Sequence, residues 1–94
     1  MPTSFTARVT VPPDVLFRQL DQEAVILNLE SELYFGLDPV GTDMWRALTA
    51  TDSIQAAYER LLKQYDVPPE ALRNDLEELV EKLAADGLLT VTDA

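Results

Sequence analysis

The sequence contains no cysteine and no histidine. Without cysteine there is no disulfide, no thiolate nucleophile and no cysteine metal ligand. Without histidine the commonest general base and a usual transition-metal ligand are missing as well. Serine occurs only at Ser4, Ser31 and Ser53, and none stands in a nucleophile-elbow pattern. Three glycines are too few for a phosphate-cradling loop, and no calcium-loop pattern occurs. The neighbouring Glu77 and Glu78 would project about 100° apart on a helix, so they form no catalytic dyad and read as a solvated face. These absences lead us to expect a chain that is not an enzyme and that uses no metal and no cofactor.

Positive charge is scarce too. Seven basic residues stand against seventeen acidic ones, a net charge of -10, so the field of the molecule repels phosphate backbones and makes nucleic acid an unexpected partner. The same field attracts a basic peptide, although an acidic surface also serves plain solubility. No apolar run approaches the roughly 20 residues that cross a bilayer. The first residues lack the basic start and apolar centre of a secretory signal, so the expected location is the cytoplasm, with no membrane partner.

What is present is a regular alternation of signals. Ninety-four residues suit a single domain with one core, read here as an arm over residues 1–13 and a core over residues 14–91. Residues 5–11 alternate apolar and polar and predict a short strand that Pro12 and Pro13 end. Residues 15–20, 24–29 and 33–37 predict an antiparallel meander with three-residue connections, its last strand at an edge. In that strand Leu33, Phe35 and Leu37 share a face expected to be core, while Glu32, Tyr34 and Gly36 share the other. At Asp38 and Pro39 the period changes from two to 3.6, with Asp38 as cap and Pro39 as first helical residue.

Three helices follow. The first, over residues 39–50, carries a stripe of Val40, Met44, Trp45 and Leu48, with Trp45 expected in the core and Gly41 expected where another backbone packs closely. The second opens near Asp52, with Gln55 completing an approximate capping box, and runs to about Tyr65. The third, over residues 69–86, has Leu72, Leu76, Leu79, Val80 and Leu83 on one side and a strongly acidic opposite side; Gly87 stops it. The fold class expected is α+β, winged helix-turn-helix-like: a three-stranded antiparallel sheet followed by three helices. Winged helices often bind DNA, but the third helix offers mostly Glu and Asp, which disfavours an acidic winged-helix regulator that reads DNA. An apolar edge strand beside a long helix is instead a groove to which an extended peptide can add.

The order and spacing of several segments resemble the PqqD-like family of RiPP recognition elements. They are Val-Leu-Phe-Arg-Gln-Leu from Val15, Ala-Val-Ile-Leu-Asn-Leu-Glu from Ala24, Leu-Tyr-Phe-Gly-Leu-Asp-Pro-Val-Gly-Thr-Asp-Met-Trp from Leu33, Asn-Asp-Leu-Glu-Glu-Leu from Asn74 and Gly-Leu-Leu from Gly87. Pro68 departs from the serine or threonine that usually caps the third helix in that family. The resemblance implies non-catalytic binding of the leader region of a ribosomal precursor peptide, added as a strand to the third strand of the meander and laid against the third helix. On this sequence the implied peptide-binding residues are Glu32, Leu33, Tyr34, Phe35, Gly36, Leu37, Leu72, Asp75, Leu76 and Leu79, with Asp75 making a polar or charged contact. It also implies a separate cysteine-protease-type leader peptidase as partner. The Leu-Phe-Arg-Gln-Leu start and the Tyr-Phe-Gly-Leu-Asp-Pro-Val-Gly run look closer to the discrete recognition proteins of lasso peptide biosynthesis than to the peptide chaperone of pyrroloquinoline quinone biosynthesis.

Overall fold

β-branched and aromatic residues at period two build the sheet, and the helices begin where that period stops. The computed structural model describes residues 4–92, with β1 (Arg8–Thr10), β2 (Val15–Leu20), β3 (Glu23–Asn28), β4 (Tyr34–Leu37), α1 (Pro39–Ala50), α2 (Ile54–Gln64), α3 (Pro69–Ala85) and β5 (Thr90–Thr92). The ends of the expected 94-residue domain, including residues 1–3 of the arm, lie outside the described residues. β2, β3 and β4 form the expected three-stranded antiparallel sheet in that order, and β1 pairs antiparallel with β5 in a second, two-stranded sheet. The fold is therefore α+β, a meander followed by three helices.

The connections differ from the expected triplets. β2 and β3 are joined by Asp21 and Gln22 alone, because Leu20 pairs with Glu23. Asp21 takes a left-handed φ of 62°, a region that a short polar side chain tolerates better than most. β3 and β4 are joined by five residues, and Asn28 organises them. Its Oδ1 accepts from the amides of Glu30 and Ser31 at 2.9 and 3.1 Å, while its Nδ2 donates to the Gly87 carbonyl at 3.1 Å. This loop leaves Leu33 outside β4 and 53% exposed, so Leu33 is not the core residue that alternation predicted.

The expected first strand shrinks to β1, and the residues before it do something else. Phe5 and Ala7 turn into the helical core, and their carbonyls accept from the first amides of α2, Gln55 at 2.8 Å and Ile54 at 2.9 Å. The arm thereby satisfies helix donors that have no partner within α2. The Arg73 guanidinium of α3 covers the Phe5 ring, 3.9 Å from its centroid. The cap of α2 is Ser53 and not Asp52: Ser53 Oγ accepts from the Ala56 amide at 3.0 Å.

α1 separates two clusters of buried side chains. Met44, Ala47 and Leu48 face a helical cluster with Ile54, Leu61, Leu72, Leu76 and Val80. Trp45 turns the other way, joins Ile26, Leu37, Leu83 and Leu88, and stacks on Phe17 with centroids 5.8 Å apart. Trp45 is thus a core residue between sheet and helices. The atoms nearest Gly41 belong to side chains and not to a second backbone; a Cβ there would lie 3.2 Å from both the Asp38 carboxylate and the Leu37 side chain and would crowd the cap. α3 starts at Pro69 with no side-chain cap on Pro68. It ends with Gly87 at φ 75°, the Leu88 amide donating to the Leu83 carbonyl at 2.8 Å and the Gly87 amide to the Ala84 carbonyl at 3.2 Å. That pair of bonds turns the chain sharply back so that Leu88 and Leu89 enter the core.

Candidate functional site

β4 pairs with β3 along one edge, with Ala24 opposite Leu37 and Leu27 opposite Tyr34, and among the described residues no strand pairs with its other edge. Beside that edge lies a groove of about 520 Å³ lined by Phe35, Val40, Gly41, Met44 and Leu79, with Asp38, Asp75, Glu78 and Lys82 also contributing. β4 supplies Phe35, the first turns of α1 supply Val40, Gly41 and Met44, and α3 supplies the opposite wall. The junction from strand to helix at Asp38 and Pro39 is what brings sheet edge and helix together: Asp38 Oδ1 accepts from the Gly41 amide at 2.7 Å and fixes the direction of α1.

A second cavity of about 250 Å³ continues the groove past the end of β4. It is lined by Val40, Met44, Asp75, Tyr65, Val67, Pro68, Ala71 and Leu72, so the two cavities share Val40, Met44 and Asp75. The Tyr65 and Gln64 side chains both donate to the Asp43 carboxylate, fastening the end of α2 to α1 beside this cavity. Burial, then the hydrogen bond to Asp43 and the nearby charges of Asp43 and Asp38, push the Tyr65 phenol up from 10.0 to about 12.

The structure brings Phe35, Asp75 and Leu79 together on the groove. It places other expected binding residues elsewhere. Leu76 is 0% and Leu72 4% exposed, although both were expected among the peptide-binding residues; Leu76 packs in the core and Leu72 shows only an edge to the second cavity. Leu37 is buried among the sheet's core side chains. Tyr34 is 74% exposed on the sheet face turned away from the helices, in one cross-strand row with Leu27 and Leu16, and Glu32 and Leu33 precede the strand. Neither Tyr34 nor Gly36 lines the groove; what they can offer an added strand is the free backbone edge of β4.

Sequence reasoning missed Asp38, Val40, Gly41, Met44, Glu78 and Lys82 as residues lining the first cavity. On α3 a signal existed: Asp75, Glu78, Leu79 and Lys82 are spaced i, i+3, i+4, i+7, a single stripe beside the buried stripe of Leu72, Leu76 and Leu83. Val40 was expected in the buried stripe of α1, yet it is 43% exposed and lines both cavities.

Among the described residues no group of three His, Cys, Asp or Glu side chains could hold a metal ion, and no helix is long and apolar enough to cross a membrane. No curated protein matched the chain in sequence. The solved structure described as TbiB1 in complex with the TbiA(beta) leader peptide is similar with 29% identity and a TM-score of 0.79, covering 85% of this chain and 93% of that one. A second, a lasso peptide synthetase B1 complexed with the leader peptide, has 23% identity and the same TM-score of 0.79, covering 89% of this chain and 99% of that one; at this identity the likeness speaks for the fold. Residues 23–89 match the family described as Coenzyme PQQ synthesis protein D (PqqD). With a match over most of its length and with the meander and three helices of its structural neighbours, the chain belongs to the PqqD family, as a PqqD-like RiPP recognition element.

Proposed function

We propose that this protein binds the leader region of a ribosomally made precursor peptide, which adds as a fourth strand to β4 and lies against α3. The observation that carries the reading is the unpaired β4 edge opening on an apolar groove walled by α3. Main-chain bonds to the edge hold an extended peptide, and alternate side chains drop between Phe35, Met44 and Leu79. Family membership and the 29% identical neighbour solved with a leader peptide support the same use.

The role is non-catalytic. The first cavity is lined by no hydroxyl, thiol or imidazole, and its carboxylates face solvent with no nucleophile beside them. Holding the leader while the rest of the precursor stays free raises the precursor's effective concentration at a separate leader peptidase of the cysteine-protease type. The outer sheet face, with Leu16, Leu20 and Tyr34 exposed, stays uncovered when the groove is filled. Lasso peptide biosynthesis is the favoured pathway, on the likeness of the segments from Leu16 and Tyr34. The family description keeps a second reading, presentation of a precursor to a radical enzyme of pyrroloquinoline quinone synthesis.

The test is binding of a labelled leader peptide encoded by a small open reading frame next to the gene, measured for the wild type, Tyr34→Ala and Asp75→Arg, with circular dichroism confirming that each variant folds. Wild type should bind. Asp75→Arg should weaken binding on the groove side, and Tyr34→Ala should weaken it less, through loss of a cross-strand contact worth roughly 0.2–1 kcal/mol. Absence of wild-type binding would contradict the reading. Binding indifferent to both substitutions would leave the function and move the site.

A further inference from the structure

The two cavities of the groove meet at one charged side chain, and its surroundings define what it lacks. Asp75 lines both cavities, and Glu78, one turn further along α3, lines the first. Among the described residues neither carboxylate has a hydrogen bond or an ion pair. The third carboxylate of the rim, Asp38, is engaged with the Gly41 amide. The rim's one cation, Lys82, lies 3.8 Å from Asp86 and is drawn toward the end of the helix, away from Asp75. Three carboxylates therefore face the groove against one ammonium that already has a partner.

Such a groove is selective in sign as well as in hydrophobicity. An extended peptide running from β4 into the second cavity must pass its chain over Asp75, because that residue and its neighbours Val40 and Met44 belong to both cavities. A carboxylate on the peptide at this point would meet Asp75 and Glu78 at close range, whereas a cation would neutralise them. The net charge of -10 adds a long-range bias in the same direction, faster encounter with positive peptides.

Resting on the proposed peptide-binding role, we infer that the groove selects a peptide with apolar side chains in the two cavities and a lysine or arginine between them, its cation held by Asp75 and Glu78. The basic side chain supplies specificity and the apolar ones supply most of the affinity. Exposed ion pairs contribute modestly, so replacing the basic residue should cost roughly two- to fivefold in affinity.

The experiment is selection of a displayed library of random 15-residue peptides on the immobilised protein, in parallel with the Asp75→Lys/Glu78→Lys variant. Both positions are exposed, and circular dichroism confirms that the variant folds. Wild type should enrich peptides with Lys or Arg at a fixed place between apolar residues, and the variant should enrich Asp or Glu there. For one enriched synthetic peptide, exchanging its basic residue for Gln should weaken binding roughly two- to fivefold in low salt, and the difference should fade near 0.5 M salt as screening shortens to about 4 Å. Apolar peptides enriched without charge preference would overturn the inference and leave the groove reading standing. Failure of the wild type to enrich any peptide would overturn both.

Discussion

Asn28 ties three elements with one side chain: it accepts two loop amides and donates to the Gly87 carbonyl at the end of α3. Its amide side chain is suited to both tasks, since it carries an acceptor and a donor. Asn28→Ala should lower stability by about 1–2 kcal/mol in urea unfolding, and Asn28→Asp, which keeps the acceptor, should cost less. Equal losses would mean that the bond to the Gly87 carbonyl, which Asp cannot make, carries the effect and not the acceptor bonds to the loop amides. Tyr65 gives a residue-level prediction in pH. Its folded pKa, about 12, lies above the ordinary 10.0, so the fold favours the neutral phenol; that contribution is full below pH 10 and is lost as pH rises toward 12. Melting temperature should therefore fall more steeply between these limits for the wild type than for Tyr65→Phe, and parallel curves would contradict the assignment.

Among the elements, the arm before β1 is the clearest case of a segment whose task comes from the tertiary structure. Phe5 is buried against Tyr58 and Arg73, and its carbonyl caps α2. Phe5→Ala should cost about 3 kcal/mol, read by thermal or urea unfolding, because a buried aromatic is lost and the cavity closes only in part. A loss below about 1 kcal/mol would mean that the arm is not held in the core. Alternation around Val9 announced a strand in the right place, but only packing decides that Phe5 and Ala7 leave it. The helices were more legible. Asp38 and Pro39 mark the start of α1 through their own backbone chemistry, and Gly87 marks the stop of α3 through its positive φ. Ser53 in place of Asp52 is a shift of one residue between two competent caps. On α3 the spacing supported the buried stripe and the groove stripe equally. Leu72 and Leu76 lie in the buried stripe and Asp75, Glu78 and Lys82 in the groove stripe; which stripe meets α1 and which meets the open edge depends on how the helix is rotated, a tertiary property.

At the scale of the molecule, the two-stranded sheet pairs Arg8–Thr10 with Thr90–Thr92, while the three-stranded sheet leaves two outer edges among the described residues, at β2 and β4. Among the described residues only β4 contributes a strand side chain to the groove walled by α3; β2 packs Phe17 on Trp45 of α1, carries the exposed Leu16 and Leu20, and lines no part of that groove. The central claim is therefore directional: an added peptide strand belongs at β4 and not at β2. Amide hydrogen exchange, followed residue by residue with and without the leader peptide, tests this most directly. Strand addition predicts slower exchange for outward amides within Tyr34–Leu37, accompanied by shifts at Asp75 and Leu79, with Val15–Leu20 unchanged. Protection confined to Val15–Leu20, or binding that leaves Tyr34–Leu37 unprotected, would contradict it.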